Sequence, residues 1–293
     1  MSQSKIILIT GCSSGFGMLT AARLASKGHK VLATMRSLNR NGALIDELKR
    51  RNAEAEILHL DVTNKLSIKQ TITEVASKHG YIDVLVNNAG FGIGGAFEDL
   101  TEEEIREQME TNFFGVQNVT REVIPLMRQR RRGRIINISS VAGFSTSPCF
   151  SAYNASKWAL EAFSESLHYE LKFFGIDVLL VEPGTYNTKI FHDNARYAKN
   201  FDNPSSPYYP ISQFLKKRVM EYVKDCHKDP EEIPILIEKL INARYPSFRN
   251  IPDIESKFLY TMRKCLPFWM YRGLVRSVFT SGLKLNPASG YKV

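Results

Sequence analysis

Beyond Glu255 the chain has no acidic residue, although seven lysines and arginines follow it, from Lys257 to Lys292. It also lacks an uninterrupted apolar stretch long enough to cross a bilayer. The N-terminus, Met1-Ser2-Gln3-Ser4-Lys5, runs directly into a short apolar strand pattern, which argues against a secretory leader. A cytoplasmic location is therefore expected. Cysteine is scarce: Cys12, Cys149, Cys226 and Cys265 form no short pair and have no histidines at ligand spacing. That excludes a disulfide framework, and no metal site is expected. Neither an internal repeat nor a low-complexity tract is present, so a solenoid or a disordered chain is excluded as well.

What remains is a chain of 293 residues with 43% hydrophobic composition, enough to bury one large core with an appendage. The formal charge of +9 would suit nucleic acid, a membrane surface or an anionic ligand. Most of the excess lies in the acid-free tail. A second cluster, Arg128, Arg130, Arg131, Arg132 and Arg134, falls at a helix-to-strand junction and reads as a solvated basic turn. No nucleic-acid module accompanies it, so nucleic acid is not an expected partner.

Short apolar runs alternate with longer amphipathic stretches, the pattern of a parallel sheet covered by helices on both faces. Strands are expected at Ile6 to Thr10, Lys30 to Met35, Glu56 to Leu60, Val84 to Asn87, Arg134 to Ser139 and Asp177 to Glu182. Helices are expected near 15–27, 41–52, 64–79, 101–130 and 152–174, with Asn64, Thr101 and Ser151 as starts. The fold class is α/β: a single doubly wound Rossmann-type parallel sheet flanked by helices, with a C-terminal helical extension. Ligands of such sheets sit at the carboxyl ends of the strands.

Those ends carry the informative residues. The first strand runs into Gly11-Cys12-Ser13-Ser14-Gly15-Phe16-Gly17 and then a helix. Glycines let backbone approach a pyrophosphate, and a helix N-terminus presents amide donors to it. The second strand ends at Met35-Arg36, where an NAD binder would place an acid on the ribose. Arg36 instead suits a 2'-phosphate, so NADP(H) is the expected cofactor. Asp61 and Val62, then Asn88-Ala89-Gly90, close two further strands on the adenosine side, where either group also reads as ordinary turn residues.

Tyr153 and Lys157 stand four residues apart, which stacks them on one face of a helix. A phenol with an ammonium nearby can exchange a proton with a carbonyl or alcohol oxygen. Ser140 ends the strand thirteen residues earlier, and Asn112 lies within the long helix before it.

In order and spacing these motifs resemble the short-chain dehydrogenase/reductases over roughly residues 5 to 190, and within that family the branch holding 17β-hydroxysteroid and retinol dehydrogenases. The resemblance implies Tyr153 as general acid/base and Ser140 as the group orienting the substrate oxygen. It implies that Lys157 binds the nicotinamide ribose and depresses the tyrosine pKa, and that Asn112 holds a relay water. It also places Ser14 and Arg36 at the 2'-phosphate, and Pro183, Gly184 and Thr188 at the nicotinamide end. A homodimer or homotetramer packed through the helices near 101–130 and 152–174 is implied too.

Residues 1–252 are expected to form the catalytic domain, with a substrate cover at 189–222 rich in aromatics: Phe191, Tyr197, Phe201, Tyr208, Tyr209, Phe214 and Tyr222. These rings either line a pocket for a flat or long apolar substrate or pack the cover onto the sheet. Residues 253–293 form a basic, aromatic-rich extension in which Pro267 breaks any single helix. Such a segment suits a membrane surface, a pocket cap or a subunit contact. The expected function is NADP(H)-dependent interconversion of a small lipophilic alcohol and its ketone or aldehyde, steroid-, retinoid- or fatty-alcohol-like. Alternatives are a 3-oxoacyl-thioester reductase and a catalytically idle NADP-binding scaffold or sensor.

Overall fold

The structure, a computed structural model, describes residues 4–187 and 195–283. Its central sheet contains β1 (Ile6–Ile9), β2 (Lys30–Met35), β3 (Glu56–His59), β4 (Val84–Asn87), β6 (Gly133–Ile138), β7 (Ile176–Val181) and β9 (Arg249–Asn250). The order is β3-β2-β1-β4-β6-β7-β9, with every pairing parallel. The chain thus runs outward from β1 in one direction and from β4 in the other. Their carboxyl ends flank the switch point where a ligand crevice opens.

Burial on both faces explains the continuous apolar runs. Ile7 and Ile9 point into one core, against α1 (Gly15–Ser26) and, beyond it, α8 (Glu232–Asn242). Leu8 points into the other, shared with α3 (Lys65–His79), α5 (Gly115–Gln129) and α6 (Ser151–Lys172). On the first side α2 (Gly42–Arg50) adds Leu44 and Leu48 beside α1, and on the second α4 (Glu102–Met109) packs against α6.

Local chemistry sets the helix ends. Asn64 accepts from Leu66 N and Ser67 N at 3.0 and 3.1 Å, and Thr101 forms a reciprocal cap with Glu104. Ser151 does not cap: it is the first residue of α6, and Phe150 precedes it without a side-chain cap.

Four expected strands end one residue early, at Ile9, His59, Ile138 and Val181. The next residues leave the ladder to build the crevice, although Thr10 N still donates to Val86 O at 3.0 Å and Ser139 N to Val181 O at 2.8 Å. The expected helix over 101–130 is two helices joined by a π-helical turn at Glu110–Phe114. Such turns recur at functional sites because they re-aim side chains without ending the helix.

The basic junction is built into the fold. Arg130 lies 3.6 Å from the Tyr81 ring centre and pairs with Asp83 at 3.1 Å. Arg131 donates to Phe173 O, and Arg134 holds Asp177, Leu240 O and Ala243 O.

Three helices complete the described residues: α7 (Tyr209–Lys224), α9 (Ile254–Cys265) and α10 (Phe268–Thr280). A second, two-stranded sheet joins β5 (Ile93–Gly94) to β8 (Arg196–Tyr197). It fastens the segment after β7 across the loop that follows β4.

Candidate active site

The glycine-rich turn is shaped by what it packs against. A Cβ on Gly11, whose φ is +74°, would lie 2.8 Å from Ala89 Cα. One on Gly17 would lie 2.3 Å from Asn88 Nδ2. That amide donates to Thr10 O and Gly11 O at 2.9 and 3.0 Å, so Asn88 holds the turn itself. Gly15, at φ +58°, has nothing within 4 Å of its Cβ position: open space lies beside the N-terminus of α1. Ser13 and Ser14 border that space, and the Phe16 ring meets Tyr186 edge-on at 5.6 Å.

Arg36 is exposed and lines a cavity of about 650 Å³ with Thr63, Glu107, Glu110 and Thr111. Nearby, Asp61 accepts from Thr63 N and Oγ1 at 3.0 and 2.8 Å, which fixes its carboxylate, while Val62 is buried against Gly115. Ala89 N donates to Thr10 Oγ1, and Gly90 faces Asn112, whose Oδ1 would be 3.2 Å from a Cβ there.

Asn112 is 1% exposed. Its amide donates to Phe91 O at 2.9 Å and Ser156 Oγ at 3.1 Å, and its oxygen accepts from Phe91 N. Both amide protons are taken, so this side chain braces the turn after β4 and does not offer a donor to a relay water.

Ser140, Tyr153 and Lys157 come together at the ends of β6 and the start of α6. Ser140 Oγ accepts from Ala142 N at 3.1 Å and lies close enough to the Tyr153 hydroxyl to favour its charged form. Gly92 supports the tyrosine ring, since a Cβ there would be 3.4 Å from Tyr153 Cδ2. Lys157 is buried, donates to Ile138 O at 2.9 Å, and its Nζ lies 5.8 Å from the Tyr153 ring centre.

The electrostatics differ from the expected depression of the tyrosine. Burial raises the Tyr153 pKa, opposed by the nearby Ser140 hydroxyl. Burial lowers Lys157 to about 8, opposed by the charge of Glu161. The ammonium is turned to a carbonyl beneath the ring, so in the unliganded chain Tyr153 is a protonated acid and not a phenolate.

Pro183 is buried, with its carbonyl accepting from Val141 N at 3.0 Å. Gly184 is needed for packing: a Cβ there would lie 2.4 Å from Ser256 Oγ, and its N–H donates to Asp253 Oδ2 at 3.2 Å. Thr188 and Phe191 lie outside the described residues.

The chain matches the family described as short chain dehydrogenase over residues 5–198. It belongs to the short-chain dehydrogenase/reductase family. A curated relative, the 3-ketodihydrosphingosine reductase of Bacteroides thetaiotaomicron, is 42% identical over 85% of this chain and 87% of its own. Mouse retinol dehydrogenase 16 is 34% identical over 93% of this chain and 88% of its own. Among solved members, a Burkholderia phymatum protein in complex with NAD superposes with a TM-score of 0.77 at 25% identity, covering 89% of this chain and 92% of that one. A variant of actinorhodin polyketide ketoreductase with NADPH gives 0.72 at 28%, covering 86% and 97%. The family is one of oxidoreductases, and its solved members hold either nicotinamide cofactor.

Tyr197 and Phe201 meet at 4.5 Å in a tilted pair and join Ile93, Leu100 and Ala152 in a small satellite core, so these two rings pack their segment onto the family core. Arg196 grips Glu107 at 2.7 and 2.8 Å, Ser206 Oγ donates to Asp99 at 2.6 Å, and Tyr208 reaches Glu98. Several further residues at the site have no local sequence signature: Gly92, Tyr186, Glu182, Arg249 and Asp253. Glu161 alone has one, standing a helical turn beyond Lys157.

Proposed function

We propose that the protein is an NADP(H)-dependent oxidoreductase that interconverts a lipophilic secondary alcohol and its ketone, working as a reductase at neutral pH. The observation that carries this reading is that Ser140, Tyr153 and buried Lys157 come together at the carboxyl ends of the strands flanking the open glycine turn. A dinucleotide fits there: Gly11, Ser13, Ser14, Gly15, Phe16 and Gly17 would receive its pyrophosphate, Asp61, Val62, Ala89 and Gly90 its adenosine, and Lys157 its nicotinamide ribose. When bound, the nicotinamide supplies or accepts the hydride. The chain's own residues handle the oxygen. Ser140 fixes the carbonyl, and Tyr153, held protonated by burial, donates the proton that neutralises the developing alkoxide.

The similarity to a reductase of a 3-keto long-chain base, and to a retinol dehydrogenase, supports a long apolar substrate with one reacting oxygen. Preference for NADPH rests on Arg36 beside the adenosine-side cavity. Replacing Arg36 with alanine is expected to cut the NADPH-over-NADH ratio of kcat/KM about tenfold or more, since a charge-assisted contact is lost. An unchanged ratio would remove Arg36 from cofactor selection.

Residues 253–283 do more than trail from the sheet and its helices. Asp253 caps α9 and holds Gly184, Tyr260 meets Phe144 at 5.0 Å, and buried Tyr271 is hydrogen-bonded to Ser145. Large apolar side chains of α9 and α10 remain exposed, Phe258 at 66% and Trp269 at 69% with Ile254 and Phe268 exposed too, and the same two helices carry exposed Lys257, Lys264, Arg272 and Arg276. No helix among the described residues is long and apolar enough to cross a membrane. Exposed aromatic side chains and cations on the same helices favour peripheral contact with an anionic lipid surface, which would bring the cleft to a lipid-dissolved substrate. Vesicles rich in phosphatidylserine should co-sediment the full chain. A Phe258→Ser, Trp269→Ser double variant should stay in the supernatant; equal sedimentation of both would discard this surface.

A further inference from the structure

Behind Lys157, away from the cleft, lies an ionisable group that the proton transfer to substrate does not use. Glu161 follows Lys157 by one turn on the same face of α6 and is 4% exposed. Glu182, directly after β7, is fully buried. Both carboxylates accept from one nitrogen, Nη1 of Arg249 on β9, each at 2.6 Å. Three buried oxygens around them have no hydrogen-bond partner: Glu161 Oε1, Glu182 Oε2 and Ser139 Oγ. Two of these crowd the missing side chain of Gly143, at 2.8 Å for Glu161 Oε1 and 2.9 Å for Ser139 Oγ from its Cβ position.

Two buried anions on a single cation are costly, and unpaired acceptors in a dry interior add to that cost. One proton shared by the carboxyl pair relieves both, because it cancels one charge and supplies a donor. With it, Glu161 and Lys157 balance as one anion and one cation, while Glu182 and Arg249 leave a single positive charge outside. We propose that Glu161 and Glu182 hold one proton between them on Arg249, and that this triad keeps Lys157 charged and in position for the reaction. Glu161 and Glu182 are positioning residues, since neither touches substrate or cofactor.

The direction of each titration agrees. Burial raises Glu182 to about 8, with the Glu161 charge as the second cause. Burial also raises Glu161, while the nearby Ser139 hydroxyl, which no geometric hydrogen bond joins to it, and Arg249 and Lys157 oppose it. Glu161 in turn raises Lys157 against its own desolvation. The other ionisable groups facing this cluster are Tyr153 from α6 and Tyr260 from α9, whose ring centre lies 5.6 Å from the Arg249 guanidinium carbon. Both carboxyls are raised, as one proton held by the pair requires, and Glu161 is the member a single helical turn from Lys157.

The inference rests on Lys157 belonging to the active site, but its test needs neither substrate nor cofactor. In the unliganded full chain labelled with ¹³Cε-lysine, the Lys157 resonance is identified by its loss in Lys157→Met. Glu161→Gln, which keeps shape and removes the charge, should move the Lys157 titration midpoint down by about one pH unit or more. The native chain should also show an infrared band of a protonated carboxyl at neutral pH, and Glu182→Gln should lose it. An unmoved midpoint in Glu161→Gln overturns the proposal. Should that variant not fold, absence of the carboxyl band from the native chain overturns it equally. Lack of turnover with every substrate would count against the proposed function and leave these two readouts untouched.

Discussion

Tyr153→Phe is expected to lower kcat/KM by about 10³-fold while leaving NADPH affinity and thermal stability close to native. The substitution removes one hydroxyl and keeps the ring that packs against Gly92. What is lost is the hydroxyl beside Ser140 and the proton that balances charge on the substrate oxygen. Because burial raises this phenol, the proton is present throughout the neutral range, and ketone reduction should hold its rate there. NADPH fluorescence titration separates binding from turnover. Substantial residual turnover in the variant would remove Tyr153 from the proton transfer.

Lys157→Met is expected to reduce kcat/KM by about 10²-fold or more and, unlike the tyrosine variant, to weaken NADPH binding as well. Methionine matches the apolar stem but lacks the charge and the donor to Ile138 O. The pH dependence follows from the lowered pKa. In the folded chain Lys157 loses its proton near about 8, so activity that needs the ammonium should fall as pH rises through that value. Stability runs the other way. Between the folded value and the ordinary lysine value the unfolded chain binds the extra proton, so this residue's contribution to stability grows as pH rises and is lost as pH falls through about 8. Lys157→Met should flatten that slope in denaturant melts taken at pH 7 and pH 9. A slope identical to the native one would refute the buried-ammonium account.

The sheet was legible because strands buried on both faces must be apolar throughout, as Ile6-Ile7-Leu8-Ile9 and Val178-Leu179-Leu180-Val181 are. The glycine turn, Ser140 and the Tyr153–Lys157 spacing were legible for a similar reason: each meets a local demand of backbone or helix geometry. The π-helical turn at Asn112 had no such signature, since it comes from tertiary bracing by Phe91 and Ser156. Nor had the Glu161–Glu182–Arg249 triad, whose members belong to a helix, a strand end and a far edge strand that only folding brings together. Spacing reports that the lysine is near Tyr153, not where its ammonium points, and in the unliganded chain that ammonium donates to Ile138 O while burial raises the phenol. Tyr197 and Phe201, aromatic residues of the segment expected as a cover, could line or pack, and their place in the satellite core decides for packing.

The central claim is that this chain reduces the ketone of a long apolar molecule with NADPH. Its most direct test is nicotinamide absorbance recorded with the full chain, NADPH and a panel of a 3-keto long-chain base, a ketosteroid, a long-chain alkyl ketone and a 3-oxoacyl thioester. The account predicts steady NADPH consumption with one of the first three, faster than with NADH. NADPH binding without consumption of any panel member, or turnover confined to the 3-oxoacyl thioester, would contradict it.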